Sequence, residues 1–504
     1  MVRSSTSTKI LYVGVNNAFI NVNTTTQHLM DEYGRVRVFH GVNVVYKIFP
    51  WHPLTDKFDP QNSLVQEDID NMVAWGFNAV RFGAMWPGVE PERGVFNQTY
   101  LEVIYNMVNQ LGSAGIHTII DFHQDIINRR FCGEGIPDWA VVLPESTLSF
   151  PEPAVLHKYP VDNETLYPDL SLCLDKEFAT YYFSDAVGAT FQSLYDNAEG
   201  IQDEFLKYWQ QLAKTFQNVS TVLGYEIINE PWGGNIYKYP ELLVDLGHAD
   251  RVNLMPLYQN VNEAIREIDQ RHAIFYEKSL VDLYDSKFPA GTPGGIEYND
   301  RQILSYHIYC GNVGGNPRHV GLCDSENKVF LDGAMTDLRR TGGGGFMTEF
   351  GAISNTTNAM DTITYMMNEA DNYFQSWCYW QFKFYNDLTT SGPTESLYLA
   401  DGSLDVIKVR TLSRTYAQAI AGSPQKMTFD IQTASFTFSY EIDTSITQPT
   451  IIYLNEAMHY PNGYTASITT GSAQISSPST NTINITPTTS TLNGQLITIE
   501  ILAK

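Results

Sequence analysis

Gly224-Tyr225-Glu226-Ile227-Ile228-Asn229-Glu230-Pro231-Trp232 is the end of an apolar run that stops at an acid. From Thr221 onward, Val222, Leu223, Tyr225, Ile227 and Ile228 give the run the β-branched and aromatic content of a buried strand. Pro231 cannot donate to a sheet ladder, so the strand ends there with Glu230 at its carboxyl end. An acid at that place is costly inside a core but well placed at the mouth of a parallel β/α barrel. A strand-ending carboxylate in a surface turn is the plainer reading of an isolated Glu-Pro. A second segment repeats the pattern: Gly345-Phe346-Met347-Thr348-Glu349-Phe350-Gly351. Two carboxylates ending two apolar strands are what retaining glycoside hydrolysis needs, one kept protonated as acid and one ionised as nucleophile, roughly 5 Å apart.

Outward from these segments, eight strand-like runs are expected at 38–46, 79–85, 118–123, 222–229, 273–277, 303–309, 346–350 and 377–382. Helix-period stretches at 64–75, 101–111, 203–216, 254–269, 332–340, 361–373 and 404–421 separate and follow them. Strand alternating with helix predicts an α/β fold with a closed parallel sheet, the (β/α)8 TIM barrel, over 38–422. An open doubly wound sheet is the rival, but no Gly-x-Gly-x-x-Gly loop follows the first strand and a nucleotide site finds no support. Residues 1–37 read as an N-terminal segment packed on the barrel, with a hairpin of 11–22 and 36–39. From 126 to 202 the rhythm breaks, in an insertion rich in aromatics such as Trp139, Phe150, Tyr182 and Tyr195. So long a connection over the catalytic face suits a lid or a substrate-binding wall. Beyond 422 the chain alternates with period two and is rich in Thr and Ser, so 423–504 is expected to form a C-terminal antiparallel β-sandwich.

The formal net charge of −25 argues against nucleic acid and against docking on anionic membrane by charge. No apolar run approaches the roughly 18 residues that span a bilayer, and the polar start shows no signal-peptide core. None of the five cysteines has Cys-x-x-Cys spacing. Cys132 with Cys173, and Cys310 with Cys323, suit loop-stapling disulfides, and Cys378 suits a buried thiol. With acceptor sequons at Asn23, Asn97, Asn163, Asn218, Asn355 and Asn484, an oxidising, secreted or lysosomal-digestive setting and a glycoprotein are expected.

Asn229-Glu230-Pro231 and Thr348-Glu349-Phe350-Gly351 resemble the acid/base and nucleophile motifs of the family 5 glycoside hydrolases. Within that family the resemblance, over about 38–422, is to the endoglycoceramidases, which cut between an oligosaccharide and ceramide. It implies Glu230 as acid/base and Glu349 as nucleophile. Lys47, His123 and Asp125 would hold glycone hydroxyls, and Asn229 the sugar 2-hydroxyl. His123 and Asp125 are also plausible metal ligands, but no third ligand has informative spacing. Arg81 of Val80-Arg81-Phe82 is either a core arginine or a cation beside Glu349, and the family pattern favours the second. His307 would partner Glu230 and Tyr309 would donate to Glu349, both from Tyr306-His307-Ile308-Tyr309. In Trp377-Cys378-Tyr379-Trp380-Gln381-Phe382, Trp380 resembles the platform under the sugar. Alternation would put Trp377, Tyr379 and Gln381 on one side and Cys378, Trp380 and Phe382 on the other.

The expected function is a retaining endo-β-glycosidase acting on glycosphingolipids, a monomer needing no metal or cofactor. It would meet a membrane surface or micelle without spanning a bilayer. Two alternatives stand beside it: a β-glucosidase or endoglucanase acting on glucosylceramide, steryl glucoside or β-glucan, and a dead carbohydrate- or lipid-binding barrel. Both carboxylates being in place counts against the last. The apolar run 232–246, just after Glu230, would either line the lipid side of the cleft or pack as a short amphipathic helix.

Overall fold

The structure is a computed structural model that describes residues 19–504 except 283–285, 287, 311–319, 388, 390 and 391. Eight parallel strands close into a barrel. In chain order they are β1 His40–Val44, β2 Ala79–Gly83, β3 His117–Asp121, β4 Val222–Glu226, β5 Ala273–Glu277, β6 Gln302–Ile308, β7 Gly344–Gly351 and β8 Ser376–Trp380. Each pairs with its sequence neighbour and β8 returns to β1, with Trp377 opposite His40. The expected (β/α)8 barrel is therefore the observed one. Its strands are apolar on both faces because one packs on the helices and the other fills the barrel interior. In β4, Tyr225 joins the helix-facing core, while Glu226 points inward to Arg81.

The helices follow from their apolar periodicity. Gln98–Ser113 buries Leu101, Ile104, Val108 and Leu111 on one stripe, and the Asn97 side chain caps it by accepting the Tyr100 N–H. Gly115, with a φ of +81° in the left-handed region, turns the chain back into β3.

Two features of the ends differ from expectation. The helix expected over 404–421 stops at Leu412, and Tyr416–Ile420 is a strand paired with Thr450–Tyr453. Ala and Gln favour a helix there, but pairing to a sheet overrides that weak preference. The N-terminal strands Asn21–Val22, Leu29–Met30 and Val36–Arg37 extend the same sheet, with Arg37 opposite Ala419. The N-terminal segment is thus part of the second unit's sheet as well as a barrel contact, and that sheet takes chain from both sides of 422/423. The part of the expected hairpin at 11–18 lies outside the described residues. Ile20, Val22 and Leu29 pack with Phe39, Ile119, Phe275 and Phe346, stoppering the interior at the end away from the chemistry.

The seven-stranded sheet faces a four-stranded antiparallel sheet across Phe436, Phe438, Tyr440, Ile497 and Ile499. The unit is fastened to the barrel. Arg414 pairs with Asp371 at 2.6 Å, the Tyr416 hydroxyl donates to Gly76 O at 2.8 Å, and His40 stacks between Trp377 and Tyr416.

The 126–202 insertion is built into the main core. Tyr181, Phe191 and Leu194 are buried in it, and the helix Asp185–Tyr195 lies buried along most of its length. Cys132–Cys173 ties its start to its middle, and Cys310–Cys323 forms the other expected disulfide. Cys378 is a buried thiol. No helix among the described residues is long and apolar enough to cross a membrane.

Candidate active site

Arg81 sits on the barrel axis, fully buried, and organises the carboxyl ends of the strands around it. Its Nε meets Glu226 at 2.5 Å, Nη1 meets Glu349 Oε1 at 2.5 Å, and Nη2 meets Asp121 at 3.0 Å and Asn229 Oδ1 at 2.8 Å. Asn43 Oδ1 takes a further Nη1 hydrogen bond at 3.1 Å. A planar guanidinium with five donors can serve all of these at once; an ammonium cannot. Burial alone would lower the pKa of Arg81, but Asp121, Glu226 and Glu349 more than reverse that.

Glu349 lies on β7 and Glu230 just beyond β4. Together with His307 they bring three ligand-type atoms within 4.8 Å of one another. The Tyr309 hydroxyl donates to Glu349 Oε2 at 2.6 Å. His307 Nδ1 lies 2.8 Å from Glu230 Oε1, and its Nε2 lies 3.1 Å from Thr348 Oγ1. Burial lowers the His307 pKa to about 4, so the imidazole is neutral near pH 7. Burial, reinforced by Asp125, pushes Glu230 up to about 7. Burial also raises Glu349, while His307 and Arg81 pull against it. Both carboxyls are buried, but their partners differ: Glu349 meets the Arg81 cation and the Tyr309 hydroxyl, Glu230 a neutral imidazole, so the ionised form is favoured more at Glu349.

Asn229, between β4 and Glu230, receives Arg81 on Oδ1 and donates to Gln124 O at 3.0 Å. Gln124 Nε2 returns to Asn229 O at 2.7 Å and Glu230 O at 2.9 Å.

Lys47, His123, Asp125 and Trp380 form a second group on the same rim. Lys47 Nζ reaches Asp125 at 2.5 Å, Asp387 at 2.9 Å, Glu134 at 3.2 Å and Thr389 Oγ1 at 2.9 Å. His123 stacks on the Trp380 ring at 5.0 Å, and Lys47 Nζ lies 4.8 Å from the centre of that ring. His123 Nδ1 meets Asp121 at 2.9 Å, and although burial opposes it, the Asp121 charge raises His123 to about 9. Along β8 the alternation holds to the strand's end: Trp377 and Tyr379 face the helices, Cys378 the interior and Trp380 the mouth. Phe382, beyond the strand, joins the helix-facing core instead of the inward set, because period two lasts only as long as the strand.

Several residues of this constellation escaped the sequence reading. Glu226 hides inside an apolar run, and Glu277 ends β5 just as Glu230 follows β4. Glu134, Asp387 and Thr389 come from loops that only the fold brings to Lys47. Glu226, Glu277 and His307, or Glu230, His307 and Glu349, offer donor types that could hold a cation. These groups already have partners: Glu226 and Glu349 bond Arg81, His307 bonds Glu230, and Glu277 accepts the Glu230 N–H.

Beside Glu230 the following loop is gripped by the insertion. The Tyr195 hydroxyl donates to Trp232 O at 2.6 Å, the Tyr182 ring stacks on Trp232 at 5.5 Å, and the Tyr237 hydroxyl donates to Phe183 O at 2.5 Å. Within 232–246 the short helix Glu241–Val244 buries Leu242, whereas Val244 is 78% and Leu246 64% exposed.

Comparison with known proteins agrees with this architecture. Residues 49–386 match the family model described as cellulase (glycosyl hydrolase family 5), and 414–501 match the glycoside hydrolase family 5 C-terminal domain. The chain is 39% identical over 453 residues to an endoglycoceramidase of Hydra vulgaris, covering 90% of this chain and 83% of that relative. It is 37% identical to an endoglycoceramidase of Cyanea nozakii, covering 89% of this chain and 87% of that one. Endo-glycoceramidase II from Rhodococcus sp., solved as a ganglioside GM3 complex, superposes with a TM-score of 0.74 at 21% identity, over 95% of this chain and 99% of that one. At that identity the likeness speaks for the fold alone. The chain belongs to family 5 of the glycoside hydrolases, in its endoglycoceramidase branch, and is a retaining glycoside hydrolase.

Proposed function

We infer that the protein hydrolyses the bond between the oligosaccharide and the ceramide of glycosphingolipids, with Glu230 as acid/base and Glu349 as nucleophile. The observation that carries the assignment is the contrast between the two acids. Glu230, at about 7, holds its proton near neutrality. Glu349 is gripped as an anion by Arg81 at 2.5 Å and by the Tyr309 hydroxyl at 2.6 Å. A Glu349 oxygen attacks the anomeric carbon as the bond to the ceramide oxygen breaks, and Glu230 gives its proton to that departing oxygen. Glu230, now ionised, takes a proton from water, whose oxygen displaces Glu349 from the same carbon, so the configuration is retained. Asn229, held by Arg81 and Gln124, fits the sugar 2-hydroxyl, where a contact strengthens in the transition state. Lys47, His123, Asp125 and Trp380 fit the glycone hydroxyls and ring face.

The deciding experiment is thin-layer analysis of products from a ganglioside, glucosylceramide and a cello-oligosaccharide. Intact oligosaccharide and ceramide from the ganglioside are expected; cleavage of only the other two would replace this reading with a glucosidase or glucanase. The profile of kcat/KM against pH should be bell-shaped, with its basic limb near pH 7 where Glu230 loses its proton.

The lipid side is supported by the exposed Leu243, Val244 and Leu246 next to the acid's loop. Contact with a micelle or membrane surface there would cover apolar side chains that water now meets. Val244→Asp with Leu246→Asp is expected to raise KM for a glycosphingolipid in mixed micelles roughly a hundredfold, since each of the two lost apolar contacts is worth about 1.5 kcal/mol. A water-soluble aryl oligosaccharide should be cut as before, and an equal loss on both substrates would remove the lipid assignment. Leu242 is unsuitable for this test because at 3% exposure it is part of the core. Secretion is supported by the two disulfides.

A further inference from the structure

Two-carboxylate hydrolysis leaves one acid of the site without a task. Glu277 ends β5, and its Oε2 accepts the backbone N–H of Glu230 at 2.8 Å. Its Oε1 lies 3.6 Å from His307 Nδ1, the same atom that meets Glu230 Oε1 at 2.8 Å. Glu230 itself has a backbone φ of +40°, in the left-handed region where a side chain costs of order 1 kcal/mol or more. A conformation of that kind persists only where the surroundings hold it. Here both ends of the residue are held: Glu277 takes its N–H, and Gln124 Nε2 donates to its carbonyl at 2.9 Å. Gln124 is fixed in turn, since its Oε1 accepts the Ile127 N–H at 2.9 Å.

We propose that Glu277 is a positioning residue for the acid, clamping the Glu230 main chain in its left-handed turn and, with His307, setting where the Glu230 carboxyl faces the leaving oxygen. The inference rests on Glu230 being the general acid. A plain core acid would explain burial but not side-chain polar contacts that, among the described residues, go to the strained residue and to its imidazole neighbour. Burial beside Glu230 and Glu226 keeps the Glu277 proton on well above the ordinary carboxyl range. The clamp therefore works uncharged, and an amide of the same shape can keep the acceptor in place.

The test compares kcat/KM on a ganglioside, whose alcohol must be protonated to leave, with that on the dinitrophenyl glycoside of the same oligosaccharide, whose leaving group needs no proton. Glu277→Ala is expected to lose about 100-fold on the ganglioside, the usual size of a general-acid contribution, and no more than about threefold on the dinitrophenyl glycoside. Glu277→Gln should stay within about threefold of the parent on both. Equal losses on the two substrates, no loss from Glu277→Ala, or a loss from Glu277→Gln as large as from Ala would each overturn the proposal. Glu230→Gln serves as the reference. If it shows the leaving-group split and Glu277→Ala does not, only this inference fails; if Glu230→Gln shows none, the assignment of the acid fails. Should Glu277→Ala lose its native circular dichroism, Glu277→Asp, one methylene too short to reach the N–H, is read in its place.

Discussion

Glu349→Gln is expected to lower kcat on a ganglioside by about four orders of magnitude while the protein unfolds at nearly its original temperature. The amide keeps the volume of the side chain and its oxygen can still accept from Arg81, but it loses the second acceptor that Tyr309 uses and cannot form the glycosyl ester. Glu230→Ala should fail differently. With a dinitrophenyl glycoside its first step survives, deglycosylation stalls for want of a base, and added azide restores turnover with a β-glycosyl azide as product. Azide with Glu349→Ala should enter from the opposite face and yield an α-azide. Chromatography of the azide products with their anomeric proton couplings reads both outcomes. Near-normal activity in either variant, or the two anomers exchanged, would reassign the roles.

The second large effect is expected at Arg81. Arg81→Met keeps the length of the side chain but removes the cation that Asp121, Glu226 and Glu349 share. Stripping one partner from buried charges costs about 3–5 kcal/mol, visible as a lower midpoint in urea. Turnover should fall with it, because Asn229 and Glu349 lose the fork that orients them. The acidic limb of kcat/KM should move to higher pH. Arg81 favours the ionised form of Glu349, so without it the carboxylate takes up its proton sooner as pH falls. Arg81→Lys should restore little, since a compact ammonium cannot span five acceptors. An unchanged acidic limb would sink the claim that Arg81 tunes Glu349.

What the amino-acid order discloses here is set by the range of the forces involved. Each barrel strand is an apolar run with a polar residue at or just past its end, and that pattern is local, so Glu230, Glu349, His307 and Tyr309 stand out in a bare sequence. Glu277 carries the same mark, after Ala273-Ile274-Phe275-Tyr276, and passed unnoticed because no neighbouring motif drew attention to it. Glu226 was invisible for another reason. An acid inside Val222–Glu226 looks like a strand's solvent-facing residue until Arg81 is seen waiting on the axis. Glu134, Asp387 and Thr389 meet Lys47 from far-apart loops, and nothing local foretells that meeting. Tyr416–Ile420 deceived for the opposite reason: its local preference is real and weaker than the sheet that claims it.

The sheet shared by the two ends of the chain also imposes an order of assembly. Val36–Arg37 is among the first described strands to leave the ribosome, yet its partner Tyr416–Ile420 is made only after the whole barrel. Until then the early strand presents an unpaired edge, next to the Ile20, Val22 and Leu29 stopper of the barrel. Pairings of such long sequence separation are slow to form, because the loop they close must be ordered first. The eight barrel strands can close on one another before then, but the barrel is not fully seated until that late strand arrives. Its floor is latched from the far end of the message, and a nascent chain interrupted before that point carries an open edge where the finished enzyme has a closed seam.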